Sequence, residues 1–295
     1  MRHAILGAGA IGGLVGTVLA SLGEDVAMIV RPQTLAGYPA DLHLERPSGN
    51  LTARATALSS LSLPTDVLWI ATKTYQLETA LDAVKTPPNH VVPLLNGVDH
   101  IASLRTRFGA EPVIPATIAV EAEKVAPARF LQRSPVVRLN LATMAEPILG
   151  AIIAKLGGLA FKCQFIANEQ TLLWSKLCFL GPFALATSAS GLDLGQILAD
   201  AHWKQTLDAL VGEASAVANA SGAQIDAAQI RAVFSSSPPG MRSSMQKDLA
   251  AGRQLELDAI GGPIVRGGER FRIDVPATIE VMSAIRAKTS ARPTG

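Results

Sequence analysis

Residues 3 to 6 form a compact strand-like run, and beyond them the apolar positions Ile11, Leu14, Val15, Val18, Leu19 and Leu22 follow the i, i+3, i+4 spacing of one helix face. This change of period predicts a strand, a turn and a helix stopped by Gly23. "VAMIV" at 26–30 predicts a second strand, which completes a β-α-β unit. The pattern recurs. "DVLWIATK" (66–73) reads as a buried strand followed by helical spacing through Leu77, Ala80, Leu81 and Val84, and "HVVPLLNG" (90–97) as a strand with "VDHIASLRTRFG" as its helix. Strands that alternate with helices in this way imply a parallel sheet with helices on its faces. Segments around 111–120, 128–140 and 159–166 predict further, partly antiparallel strands, with limits blurred by Pro112, Pro115 and Pro135.

After residue 167 the strand signal ends. "NEQTLLWSKLCFLGPFALATSAS", "AHWKQTLDALVGEASAVANASG" and "DAAQIRAVFSSSPPG" predict helices, the last stopped by Pro238-Pro239-Gly240, and 241–266 and 276–288 complete a helical region. The expected fold is α/β: an N-terminal Rossmann-type dinucleotide-binding domain (1–167) followed by an all-helical C-terminal domain (168–295), with the active site between them.

The stretch from Ala4 to Gly23 carries no charge and follows Arg2 and His3, the outline of a secretory leader or short membrane span. Its glycines argue otherwise, because Gly7 and Gly9 interrupt the apolar helix a leader needs. Gly7-Ala8-Gly9-Ala10-Ile11-Gly12 instead reads G-x-G-x-x-G between a strand and a helix. Gly7 makes the tight turn, Gly9 admits a pyrophosphate to the backbone, Gly12 lets helix and strand pack closely, and the phosphate meets the positive helix end. Ala10 and Ile11 complete the loop. Arg31, at the end of the second strand, stands where an acid would select NAD and a cation accommodates a 2′-phosphate, so the expected cofactor is NADPH. Asp25 precedes that strand and lies at its other end. Lys73 and Asn96 occupy the carboxyl ends of later strands, where ligands bind in such sheets.

Composition narrows the class. The chain has 295 residues, 48% of them hydrophobic and 17% charged, with a formal net charge of +2. That suits two domains with a sizeable core and leaves neither a nucleic-acid stripe nor an acidic tail. Cys163 and Cys178 lack metal-ligand spacing, and the five histidines form no H-x-x-x-H pair, so no metal site is expected and a reducing cytoplasm is the natural setting. Cys178 reads as a buried structural thiol.

Five ordered motifs then become informative together: "GAGAIGG", "ATKTYQ", "LLNGVDH", "LLWSKL" and "MRSSMQKDLAAGRQLELDAIGG". In these the chain resembles the ketopantoate reductases over nearly its whole length. The resemblance implies an NADPH-binding Rossmann domain, a helical domain and reduction of 2-dehydropantoate to pantoate, a step of pantothenate biosynthesis. It also implies that Lys176 is the catalytic lysine, Glu256 its carboxylate and Ser244 a substrate-binding serine, with Lys73 and Asn96 near the cofactor and reacting carbonyl. A ketone that receives hydride gains negative charge on oxygen, and a lysine meets that charge as cation and proton donor. Ser244 and Asn96 suit the substrate carboxylate as neutral donors, and Glu256 suits orientation of the ammonium. The expected partner is a small 2-oxo acid; a homodimer is compatible, and neither nucleic acid nor membrane is expected.

Four and eight residues beyond its lysine the family commonly carries asparagines, where this chain has Leu180 and Ala184. Helical spacing puts 176, 180 and 184 on one side, facing one cleft. The alternatives are a reductase for a more apolar 2-oxo acid, and an NADPH-binding sensor without turnover. Ser188 and Asn96 are the candidates to bind a substrate hydroxyl in place of the asparagines.

Overall fold

The computed structural model describes residues 1–290; the end of the second expected domain, 291–295, lies outside the described residues. The chain divides into two compact units, Met1–Leu95 with His100–Ala167, and Asn96–Asp99 with the chain from Asn168 onward.

The first unit contains β1 (Arg2–Leu6), α1 (Ala10–Ser21), β2 (Asp25–Ile29), α2 (Pro32–Leu35), β3 (Asp41–Glu45), β4 (Leu51–Arg54), β5 (Thr56–Leu58), β6 (Val67–Ile70), α3 (Leu77–Leu81), β7 (His90–Pro93), α4 (His100–Phe108), β8 (Ala116–Ala119), β9 (Ala122–Ala126), β10 (Arg129–Gln132), β11 (Val137–Ala142), α5 (Glu146–Leu156) and β12 (Phe161–Ile166). Its main sheet has the order β5-β2-β1-β6-β7, and all its pairings are parallel. Alternate side chains go to opposite faces, as the period of a strand requires. Ile5, Met28, Trp69 and Val92 join one apolar cluster, while Ala4, Leu6, Leu68, Ile70 and Val91 join another. Burial on both faces explains the continuous apolar runs in the sequence.

A four-stranded sheet, β4-β3-β10-β9, lies on the other side of α1 and has no counterpart in the sequence expectations for 32–65. The glycines of α1 are explained by this double contact. A Cβ on Gly12 would run into the Gly7 carbonyl oxygen and lie 2.9 Å from Ile5, and one on Gly16 would lie 2.6 Å from the Met28 sulfur. Gly13 points the opposite way, where a Cβ would collide with the Phe130 ring of β10. Of the segments expected at 111–120, 128–140 and 159–166, the first holds β8, the second β10 and most of β11, and the third β12, while β9 was not expected. β11 pairs antiparallel with β8 and parallel with β12, and α5 supplies the crossover that parallel pairing needs.

The second unit is helical beyond the Asn96–Asp99 segment: α6 (Glu169–Ser190), α7 (Leu194–Ala199), α8 (Ala201–Ala220), α9 (Ala227–Ser236), α10 (Ser244–Ala250), α11 (Leu257–Phe271) and α12 (Pro276–Ser290). The expected tract 241–266 is two helices, and α11 continues to a stop at Arg272, φ 57°. α6 is long and apolar enough to cross a membrane, but it is mostly buried against α8, α10, α11 and α12 as the core of its unit. Asn168 caps its start by accepting from the Thr171 N–H at 2.8 Å, and Gly191, φ 81°, ends it.

Candidate active site

In the first unit, Gly7 holds φ 104° where β1 passes into the loop, and a Cβ there would lie 2.8 Å from the backbone of Ala71 and Thr72. The loop is therefore seated directly on the carboxyl end of β6. Gly9 is the residue before α1, its side-chain position meets nothing within 4 Å, and no side chain caps the helix. Ala10 and Ile11 open the first turn, which contains no acidic residue. Uncapped N–H groups behind an open glycine fit an anionic pyrophosphate, so the residues present suit a dinucleotide. The buried Thr72 hydroxyl has no hydrogen-bond partner beside this loop. The sequence pattern did not single it out, although it follows a strand end directly.

Arg31 is exposed between β2 and α2 with extended backbone. Lys124 of β9 is a second cation in its vicinity; partial desolvation lowers the Lys124 pKa, and the charge of Arg31 lowers it further. Sequence spacing could not join these residues, because their proximity depends on the unforeseen sheet. Lys73 is half-buried and precedes the short 3₁₀ turn Thr74–Gln76, whose Gln76 N–H bonds to the Lys73 carbonyl at 2.9 Å.

The second unit gathers Asn96, Lys176 and Glu256. Asn96 follows β7 in the chain yet belongs with the helices. Its side-chain amide donates to Glu256 Oε2 at 3.1 Å. Glu256 is 6% exposed and precedes α11 without capping it, which leaves the carboxylate available to side chains. A buried carboxylate requires such partners. Lys176, half-buried on α6, is pushed by burial down to about 8, against the opposing pull of the Glu256 charge. The cluster therefore combines a tuned ammonium, an acceptor and an amide donor.

Ser244 is the first residue of α10 and is exposed, whereas Ser243 is buried. Ser243 Oγ accepts from the Gln246 N–H at 3.0 Å and lies 2.7 Å from Thr187 Oγ1, so it fixes α10 to α6. The expectation that 176, 180 and 184 face one cleft needs correction at its far end. Ala184 is 0% exposed in the apolar core, and Leu180 packs at the edge of the same cluster, because α6 is surrounded by helices along this part of its length. Ser188 is also buried, and its hydroxyl has no hydrogen-bond partner. Cys178 is fully buried, and burial pushes its thiol up to about 12, an inert state. Among the described residues no group of histidine, cysteine and acidic side chains could hold a metal.

The sequence profile of ketopantoate reductase PanE/ApbA matches residues 3–145, and that of its C-terminal part matches 168–289. The 2-dehydropantoate 2-reductase of Caulobacter vibrioides is 33% identical, over 96% of this chain and 98% of the relative. A PanE/ApbA family ketopantoate reductase from Ralstonia eutropha superposes with TM-score 0.86 at 27% identity, covering 98% of this chain and 99% of that one. A D-mandelate dehydrogenase, solved with NADH and anilino(oxo)acetate, also gives 0.86, at 21% identity over 99% of both chains.

Proposed function

The chain belongs to the ketopantoate reductase family, and from that premise we propose that it reduces 2-dehydropantoate to pantoate with NADPH. The observation that carries this reading is the association of Lys176 and Asn96 with one buried carboxylate, Glu256. A reduced nicotinamide dinucleotide, its pyrophosphate held by Gly7, Gly9, Ala10, Ile11 and Gly12, would supply the hydride when bound.

Lys176 meets the negative charge that develops on the carbonyl oxygen and gives it a proton. A pKa of about 8 keeps the lysine mostly charged at neutral pH and makes it a stronger acid than an exposed lysine. Glu256 keeps the ammonium charged and orients it. Asn96 holds the Glu256 carboxylate through its side-chain amide. Ser244, exposed at the start of α10, is the proposed donor to the substrate carboxylate, and Lys73 is proposed to contact the cofactor. Arg31 and Lys124 together favour a 2′-phosphate, hence NADPH over NADH.

A second reading, reduction of a more apolar 2-oxo acid, is favoured by Leu180, which places no hydrogen-bonding group at the edge of the apolar cluster on α6. The structural neighbour solved with anilino(oxo)acetate gives this reading a precedent within the fold. NADPH oxidation against a panel of 2-oxo acids, with ketopantoate and aromatic and branched-chain members, separates the two. The first reading requires ketopantoate to have the highest kcat/KM. Binding of NADPH without turnover of any member would instead leave the sensor.

A further inference from the structure

Each residue of the Asn96–Asp99 segment is attached to the helical unit by a different contact. Asn96 donates to Glu256, and Gly97, φ 83°, lies so close to the Ala259 carbonyl that no Cβ would fit. Val98 packs against the cluster formed by Trp174, Leu177 and Ile264. Asp99 receives two bonds from Arg266, at 2.5 Å from Nη2 and 3.2 Å from Nε, while Nη1 of the same guanidinium donates to Asp258 at 2.9 Å.

Asp258, Gly262 and Arg266 recur every four residues and form one stripe of α11. The middle position is empty for a reason. A Cβ at Gly262 would lie 2.6 and 2.7 Å from the two terminal guanidinium nitrogens and 2.7 Å from Asp258 Oδ1. The guanidinium therefore lies back over Gly262 and joins Asp258 to Asp99. The acids it joins are half exposed or more, a setting in which ion pairs add little to stability. The geometry nevertheless fixes position, since Nε and Nη2 converge on one oxygen, Asp99 Oδ2, while Nη1 holds Asp258.

We propose that Arg266, seated over Gly262, is a positioning residue: its bridge from Asp258 to Asp99 sets the Asn96–Asp99 segment on α11 at the register where Asn96 reaches Glu256. This rests on the reading of Asn96, Lys176 and Glu256 as the groups that act on substrate. The arrangement explains why a segment that continues from a strand of the first unit is held by the second. A displacement of Asn96 by about an ångström loosens the carboxylate that orients Lys176, and misplacement on that scale can cost up to about a hundredfold in rate.

The experiment compares full-length wild type with Arg266→Ala, Arg266→Lys, Gly262→Ala, Asn96→Ala and the double variant Arg266→Ala/Asn96→Ala. Two readouts are taken: the side-chain amide signals of ¹⁵N-asparagine-labelled protein, and steady-state kinetics with a 2-oxo acid the wild type reduces. The Asn96 amide pair is the one missing from Asn96→Ala. In Arg266→Ala and Gly262→Ala it should move toward the position of a solvent-exposed asparagine. In both variants kcat should fall about tenfold, with NADPH affinity unchanged and the thermal midpoint nearly so, and Arg266→Lys should recover part of the loss. Arg266→Ala should cost nothing further on top of Asn96→Ala. Gly262→Ala keeps every charge and adds a better helix former, so its defect comes from displacement of the Arg266–Asp258 pair that lies over it. An Asn96 amide pair that stays in place in both Arg266→Ala and Gly262→Ala would overturn the proposal, as would rate losses of Arg266→Ala and Asn96→Ala that multiply. If the wild type reduced no 2-oxo acid, the functional reading would fail, and the amide signals would still decide the role of Arg266.

Discussion

Asn96 and Glu256, 160 residues apart in sequence, meet at 3.1 Å, amide to carboxylate, within the helical unit. The contact places a neutral donor and an acid beside the lysine of α6, so one carboxylate links a residue that follows a strand to one within a helix.

Replacement of Lys176 by alanine should lower kcat by about 10²–10⁴-fold while NADPH still binds, as expected for loss of a proton donor. Single-turnover NADPH oxidation together with cofactor titration checks both halves. Turnover close to wild type would refute the assignment.

The pH dependence follows from the same residue. The donor form of Lys176 is the ammonium, and burial has brought its pKa down to about 8, so kcat should fall as pH rises through about 8. The Glu256 charge acts in the opposite direction, upward. Glu256→Gln should therefore move the falling limb to lower pH, and an unchanged or higher limb in a full pH–rate profile would contradict the coupling.

Arg31→Ala should weaken NADPH about ten- to a hundredfold and leave NADH little changed, the size expected for one lost charge-assisted hydrogen bond of roughly 1.5–3 kcal/mol. Lys124→Ala should show the same selectivity on a smaller scale. Isothermal titration with the two cofactors measures this, and equal losses for both would remove the 2′-phosphate assignment.

Leu180→Asn, at the edge of the apolar cluster, should raise the preference for ketopantoate over its deoxy analogue, because an amide supplies the donor and acceptor that leucine lacks, whereas Ala184→Asn would bury an unpaired amide in the core and lower stability instead. Apolar contacts alone discriminate by only about 1–3 kcal/mol per methylene. The ratio of kcat/KM for the two acids, in wild type and Leu180→Asn, is the test. A strong preference already present in the wild type would exclude this helix face as the determinant.

A structural prediction concerns the packing of α1. Gly13→Ala must push against the Phe130 ring, and overpacking of this kind costs about 1–3 kcal/mol, so the unfolding midpoint should drop. Phe130→Leu in the same chain should recover part of the loss. Denaturant unfolding of the single and double variants gives the coupling.

The parallel sheet and its glycine loop were legible because their signals are local: continuous apolar runs along β1, β2, β6 and β7, and glycines at fixed offsets from a strand end. The second sheet was less so. β3 carries a strand signal that the expectations for 32–65 omit, the alternation Asp41-Leu42-His43-Leu44-Glu45 with Leu42 and Leu44 buried, whereas β4, four residues long with no fully buried residue, offers little pattern of its own. Lys124 went unnoticed, since its relation to Arg31 depends on how that sheet folds. At the candidate site, the family resemblance named Lys176 and Glu256 and a strand end named Asn96, but the attachment of Asn96 to the helices depends on contacts between residues about 160 apart. The two adjacent serines show the limit of a motif: Ser243 carries the packing, Ser244 is exposed, and spacing alone does not tell them apart.

The four residues Asn96–Asp99 mean that the polypeptide passes between its two units three times, after Leu95, after Asp99 and after Ala167. The halves are therefore not exchangeable cassettes. A hybrid gene spliced at residue 168 would combine the Asn96–Asp99 segment of one ancestor with the Glu256, Gly262 and Arg266 of another. Drift at any of these positions must be matched across the splice, so recombination between diverged relatives preserves the site only when the short segment travels with the helices.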